Sequence, residues 1–272
     1  MFSLDHIVHL AKDKVSAQKQ FHQEGFTVFP GGKHDTWGTS NFLSYFGPSY
    51  IEFISVDEQE KVRVSDNPLI QLVHKNNRRN GIIQTAIRTD HIEGDAVTFS
   101  KLGLHVTGPI EGTRITEQGK RLSWKMLFVR SERSSFELPF FIEWNQTVPE
   151  RLQDLTDSGV QLEHQNGAQA VKNVYYAVKN IDNVYTHWKK WFNCKKIKSY
   201  ANDQWNAICT EIKLGEAFFT FFEPKGEGPV KTILQENGEG PFGAELICKG
   251  SSGHTLLIDG GYYSVISPDN PA

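Results

Sequence analysis

Apolar positions along this chain recur as a unit: a short apolar run, a mixed stretch of helical spacing, a glycine, then several alternating runs. LDHIVHLAKDKVSAQKQFHQEGFTV opens the first unit, and GIIQTAIRTDHIEGDAVTFSKLGLHV repeats it. Aligning Asp13 with His91 places Phe21 on Phe99, Gly25 on Gly103 and Val28 on Val106 without a gap. VKNVYYAVKNIDNVYTHWKKWFNC fits the same template, with Asn180 at the Asp13 position and Trp188 at the Phe21 position. Each copy is followed by runs rich in aromatic and β-branched residues with turn residues between them, which predict strands. These include TSNFLSYFG and SYIEFISV, then RLSWKMLFVR and FELPFFIEW, then WNAICTEIKLG and AFFTFFEP.

The pattern predicts an α+β fold of repeated βαβββ modules, three complete and a fourth truncated. GPFGAELICKG and HTLLIDGGYYSVI supply strands of the fourth, and no helical segment is visible there. Residues 1–147 form one predicted unit of two modules, and 165–272 a second with one full and one truncated module. The charged, Asn-rich stretch 57–80 and the stretch 147–170 read as linkers, the latter with a candidate short helix at PERLQDL.

A chain of 272 residues buries roughly 70–75% of its unfolded surface, so the core needs no disulfide or structural metal. A net charge of -3 leaves no electrostatic footprint for nucleic acid or anionic membrane. No run approaches the ~18 apolar residues of a membrane span. The first residues lack the basic-then-apolar order of a secretory signal. Cys194, Cys209 and Cys248 form no CxxC pair or Cys/His cluster, so they read as unpaired buried thiols in a reducing cytoplasm. Walker, GxGxxG and GxSxG patterns are absent, and GEGPFG at 238–243 reads as a turn between strands.

FPGGKHDTWGTSNFLSYFGPSYIEFISV carries Gly31, Gly32, His34, Gly38, Thr39 and Asn41, then Tyr50, Glu52 and Phe53. With DHIV and its His6 upstream, this resembles a glyoxalase-like subgroup of the vicinal-oxygen-chelate superfamily that bears a GGxHxxxGTxN loop before a YxEFI strand. The close match covers roughly the first 145 residues; beyond them only the module is similar. The resemblance implies the glyoxalase/bleomycin resistance/dihydroxybiphenyl dioxygenase-like fold, in which paired modules curl into a half-open barrel. It also implies a metal site with ligands from the first and last strands of each paired module.

Carried over by position, that pattern assigns His6 and Glu52 in the first module, Gln84 and Glu143 in the second. SYIEFIS and FFIEWNQ align with the two glutamates superposed. A carboxylate among such apolar neighbours is costly to bury alone, and a metal, an ion pair or a wet cavity each relieves that cost. Strand alternation toward solvent is the plainer alternative. The third module offers Asn173 and Thr220 at these positions, neither a good metal ligand. One imidazole, two carboxylates and an amide resemble the ligand types of glyoxalase I and suit zinc, nickel or manganese; a two-histidine, one-carboxylate iron dioxygenase fits less well. Gln84 is sensitive to register, since a one-residue slip turns it to the other face. His34, on a glycine-bordered loop near the cavity mouth, is a ligand, a substrate contact, an acid/base, or a fastening for the loop. Asn41 and Trp37 join it as candidate substrate contacts. His9, an odd number of residues from His6, points to the opposite face.

A metal so held would stabilise an enediolate-like intermediate of a small substrate, with Glu143 or Glu52 moving the proton. That is chemistry of a lyase or isomerase. A non-catalytic small-molecule binder of the same fold, with its aromatic residues around the cavity, is the alternative. Monomer and homodimer are both compatible, because four modules in one chain can pair internally.

Overall fold

A computed structural model describes residues 1–115, 119–160 and 163–268. The first module runs β1 (Ser3–Leu10), α1 (Lys14–Gln23), β2 (Phe29–His34), β3 (Thr39–Phe46) and β4 (Ser49–Val56). Two short helices follow, α2 (Gln59–Val64) and α3 (Pro68–Lys75). The second module is β5 (Gly81–Arg88), α4 (Ile92–Lys101), β6 (His105–Ile115), β7 (Arg121–Arg130) and β8 (Phe140–Trp144), closed by α5 (Val148–Asp157). The third is β9 (Ala168–Ala177), α6 (Ile181–Phe192), β10 (Lys195–Asn202), β11 (Ala207–Leu214) and β12 (Ala217–Pro224), followed by α7 (Pro229–Asn237). The last strands are β13 (Gly240–Cys248), β14 (His254–Ile258) and β15 (Gly261–Ile266), with no helix between β13 and β14. The truncated fourth unit is therefore present as strands alone.

Local chemistry explains why the repeat folds alike each time. Asp13, His91 and Asn180 all stand at helix N-caps. Asp13 accepts from the amides of Val15 and Ser16, and Asn180 from that of Asn183, relieving donors a helix leaves unpaired. The helices end where the chain turns left-handed, at Gly25 (φ 80°), Gly103 (φ 85°) and Asn193 (φ 53°), residues that tolerate that conformation. Phe21, Phe99 and Trp188 each bury the inward face of their helix.

Eight strands form the first sheet in the order β2-β3-β4-β1-β5-β8-β7-β6, and seven form the second in the order β10-β11-β12-β9-β13-β15-β14. In each sheet the first strands of the two modules pair antiparallel at the centre, β1 with β5 and β9 with β13. One hydrogen bond recurs at the same point of three modules: Ala11 N to Ile54 O, Thr89 N to Ile142 O and Val178 N to Phe222 O, each 2.9 Å. That bond superposes the repeats. It places His6 with Gln84 and Asn173, and Glu52 with Phe140 and Thr220.

Period-two alternation sorts side chains onto two faces. On one face Ile7, Phe53, Ile87 and Phe141 join Tyr176, Trp188, Phe219 and Tyr263 of the second sheet in one apolar core. His9 belongs to this face, with Nδ1 2.6 Å from the Tyr263 hydroxyl and Nε2 3.0 Å from the Asp259 carbonyl. The other face of the first sheet is concave and lined by Val8, Ile54, Trp124, Met126, Phe140 and Ile142. Leu69 and Val73 of α3 pack onto it, so the stretch 57–80 is a cover over the concavity and not a bare linker. All three cysteines are free and buried, and burial pushes the Cys194 thiol up to about 12. No described helix is long and apolar enough to cross a membrane.

Candidate functional site

The concave face of the first sheet encloses a cavity of about 40 Å³ lined by His6, His34, Trp37, Asn41, Tyr50 and Glu52 among others. Trp124, Trp144 and Phe140 close its apolar side, and Leu69 and Ile70 cover it. His6 Nε2 faces Glu52 Oε2 at 3.6 Å, beyond hydrogen-bond length, with both side chains almost fully buried. Asn41 Nδ2 donates to Glu52 Oε1 at 2.5 Å and fixes the carboxylate plane. Gly31 makes room for that amide: a Cβ there would stand 2.1 Å from Asn41 Oδ1.

His6 is held from behind by Asp5. A bulge between Leu4 and His6 in the β1–β5 ladder lets these neighbours meet, with Asp5 Oδ1 2.7 Å from His6 Nδ1. Arg88 Nε and Nη2 donate to Asp5 Oδ2 at 2.8 and 2.6 Å, and Trp144 Nε1 donates to it at 2.9 Å. Burial alone would raise the Asp5 carboxyl, but Arg88 and then His6 outweigh it and hold it far below the usual carboxylate range. An ionised Asp5 only accepts, so the His6 proton sits on Nδ1 and Nε2 is directed at Glu52. Tyr50 stacks on the His6 ring at 4.6 Å.

His34 both fastens its loop and faces the cavity. Its Nδ1 lies 2.9 Å from Thr39 Oγ1, and its ring is 5.7 Å from that of Trp37. Burial pushes its imidazole below the ordinary value, against the pull of Glu52, and Arg114 adds to the effect. Arg114 Nη1 donates to the Gly31 carbonyl, tying the edge strand β6 to the edge strand β2 across the mouth.

Two of the four residues assigned to a metal from the sequence do not reach this point. Glu143 is not the counterpart of Glu52; Phe140 is. The matching of YIEF with FIEW was three residues out, an odd slip that moves the side chain to the other face. Glu143 Oε2 instead accepts from the Ile92 amide at 2.8 Å, at the N-terminus of α4. Its true equivalent is Glu223, which takes the Ile181 amide of α6 at 2.8 Å. Gln84 does occupy the His6 position, but its amide is committed to the Leu138 carbonyl (3.1 Å) and the Thr85 amide (2.8 Å), beside a separate pocket under α3. Asn173 and Thr220 fall as aligned and bond each other at 2.8 Å.

A cation at the cavity would thus meet His6 and Glu52, and the amide oxygen of Asn41, buried on the same wall, has no hydrogen-bond partner. Among the described residues no three His, Cys, Asp or Glu side chains are arranged around one ion, His34 included. The four ligands assigned from the sequence are therefore not assembled at one point, since Gln84 and Glu143 are engaged elsewhere.

The profile of the glyoxalase-like domain family matches residues 4–192. The chain belongs to that family. This glyoxalase-like chain has no significant match among curated protein sequences. In structure it is similar to a hypothetical protein from Staphylococcus aureus (TM-score 0.78, 20% identity, 98% of this chain and 100% of that one). It is also similar to a triple mutant of 4-hydroxymandelate synthase from Streptomyces coelicolor (0.59, 11% identity, 91% and 71%). A xylose isomerase-like TIM barrel/4-hydroxyphenylpyruvate dioxygenase fusion protein matches at 0.55, with 12% identity over 91% of this chain and 37% of that one. At these identities the likeness establishes the fold alone: repeated βαβββ modules in two curled sheets.

Asp5, Arg88 and Arg114 were missed by sequence reasoning. An aspartate inside the apolar run LDHIV was a signal for the first, since a buried carboxylate demands a cation nearby. Nothing local in the sequence marks Arg114.

Proposed function

We propose that this protein is an enzyme of the lyase or isomerase type that moves a proton between adjacent carbons of a small oxygenated molecule. Glu52 takes the proton from the carbon and returns it to the neighbouring one, and His6 Nε2 shares it with the carboxylate. The breaking C–H bond leaves its electron pair on the substrate oxygens as an enediolate, for which His34 and Arg114 are the donors lining the cavity. The observation that carries this reading is the buried Glu52 carboxylate 3.6 Å from an imidazole nitrogen that Asp5 aims at it. Orientation from behind is what an acid/base pair needs to act with little reorganisation.

Zinc, nickel or manganese was the cofactor class expected from the sequence. With Gln84 and Glu143 engaged elsewhere, the side chains present support proton transfer by themselves better than chemistry at such an ion. The cavity of about 40 Å³ holds little more than a water, so α3, through Leu69 and Ile70, must shift for substrate to enter. Three unpaired buried thiols favour a reducing, cytoplasmic setting.

The test is turnover of a hemithioacetal by protein treated with chelator, protein loaded with zinc, nickel or manganese, and the Glu52→Gln variant. The reading expects activity that survives chelation and falls at least about 100-fold in Glu52→Gln. Activity restored only by metal, or undiminished in the variant, contradicts it. Sequestration without catalysis is the second reading, favoured by the apolar walls at Trp124, Phe140 and Ile142; tight binding without turnover would support it.

A further inference from the structure

Beside the cavity lies a second concavity of about 200 Å³, which shares Leu43 and Arg114 with it. Phe29, Leu43, Leu122 and Leu155 wall it with apolar surface. Two guanidiniums line it, Arg114 and Arg151, only 9% and 4% exposed. Arg151 rises from α5 and lies flat on Trp144, its Cζ 3.7 Å from the ring centroid. Its Nε and Nη2 are buried and have no hydrogen-bond partner. Asp154, the carboxylate in the same wall, is already taken by Lys120 and Gln146. Neither arginine has an ion-pair partner among the described residues. Arg151 feels the carboxylates of Asp5 and Asp154 only through space, so two largely buried guanidiniums keep donor capacity that no described carboxylate takes up directly, an arrangement that an entering oxyanion would relieve.

We propose that this concavity is an anion-recognition subsite, in which Arg151 and Arg114 grip the carboxylate or phosphate of a small molecule. A guanidinium presents a planar fork of donors that matches either oxyanion. The apolar walls take an aromatic or short aliphatic body attached to it. The shared residues Leu43 and Arg114 lead from here to the His6–Glu52 pair, so the substrate of the proposed reaction is an anionic molecule anchored at one end and reacting at the other. This last step rests on the proton-transfer reading; the anion site itself does not.

Calorimetric titration of the full chain with benzoate, phenyl phosphate, inorganic phosphate and the neutral benzyl alcohol tests the proposal. Benzoate or phenyl phosphate is expected to bind at least 10-fold more tightly than benzyl alcohol, and which of them binds better tells a carboxylate site from a phosphate site. Inorganic phosphate, lacking the apolar body, is expected to bind at least 10-fold more weakly than phenyl phosphate. Arg151→Met, which keeps the stem over Trp144, is expected to weaken the better anion at least 10-fold, and Arg151→Lys to restore part of that loss. Glu52→Gln is expected to leave anion affinity within two-fold, so failure of the proton-transfer reading and failure of the subsite are told apart. No anion binding at millimolar concentration, equal affinity for benzoate and benzyl alcohol, or unchanged affinity in a folded Arg151→Met overturns the proposal. The benzyl alcohol comparison needs only the natural protein and decides the matter if the variant fails to fold.

Discussion

The two sheets present the same backbone frame to two different interiors. In the first, the position of His6 and that of Glu52 carry an imidazole and a carboxylate, facing at 3.6 Å across a small cavity. In the second, the same positions carry Asn173 and Thr220, which bond to each other at 2.8 Å. Around them Tyr175, Trp205, Phe222 and Phe242 fill the concavity with ring contacts of 4.9–5.4 Å. Behind the first site stands Asp5 with Arg88; at the Asp5 position of the second stands Lys172, paired with Glu245 at 2.7 Å near the surface. A buried imidazole and carboxylate face each other where a buried ion pair stands behind them, and where that support is missing the same frame is packed as core.

The sharpest way to break this comparison is Asp5→Ala, which strands the Arg88 cation in the interior. Urea unfolding should show a loss of about 3–5 kcal/mol. Asn173→Ala, at the matching point of the second sheet, should cost only about 1–3 kcal/mol through the orphaned Thr220 hydroxyl. Equal losses would mean the Asp5 network is ordinary packing.

Acid unfolding sharpens the same contrast. Asp5 is held far below its unfolded value near 3.9, so its contribution is complete above about pH 4 and is lost as pH falls from there toward the folded value. His34, buried and held below its unfolded value near 6.5, acts earlier. The unfolded chain takes up that proton first, so stability declines as pH drops below about 6.5 until the folded imidazole also protonates. His34→Gln should remove part of the upper decline, and Asp5→Asn should flatten the lower part. His164 is held low by burial as well and contributes to the same decline, so the decline should be shallower in His34→Gln than in the natural protein, and an unchanged profile would contradict the assignment.

The smallest expected effects lie at Glu143, which sequence likeness ranks highly, and at its structural equivalent Glu223. Glu143→Gln and Glu223→Gln should each cost about 0.3–1 kcal/mol, because each meets a helix N-terminus through one amide. Neither should change turnover. Loss of activity in Glu143→Gln would restore a catalytic place for it.

These outcomes also measure how far the sequence could be read. The repeated helix starts at Asp13, His91 and Asn180 exposed the modules, because capping and apolar spacing are local properties. His6 and Glu52 were assigned through the family resemblance, whose motifs lie within strongly patterned strands, and their side chains come within 3.6 Å of each other. Glu143 was misplaced because FIEW mimics YIEF, and the length of the preceding loop, which sets the register of β8, leaves no local mark. Gln84 was aligned correctly, yet its fate depends on where the Leu138 carbonyl lies, a tertiary fact. Arg114 and Arg151 enter the site from an edge strand and a helix in the second stretch read as a linker, where no periodicity points inward.

The central claim is that reactivity belongs to the first interior and not to the second. It is tested most directly by deuterium exchange from solvent into the carbon next to the carbonyl of a turned-over substrate, in Glu52→Gln and in Glu211→Gln. Glu211 lies 3.4 Å from Asn173 Nδ2 and is the carboxylate beside the matching pair in the second sheet. The account predicts exchange slowed at least about 100-fold in Glu52→Gln and unchanged in Glu211→Gln; equal rates in the two variants, or loss in Glu211→Gln alone, would contradict it.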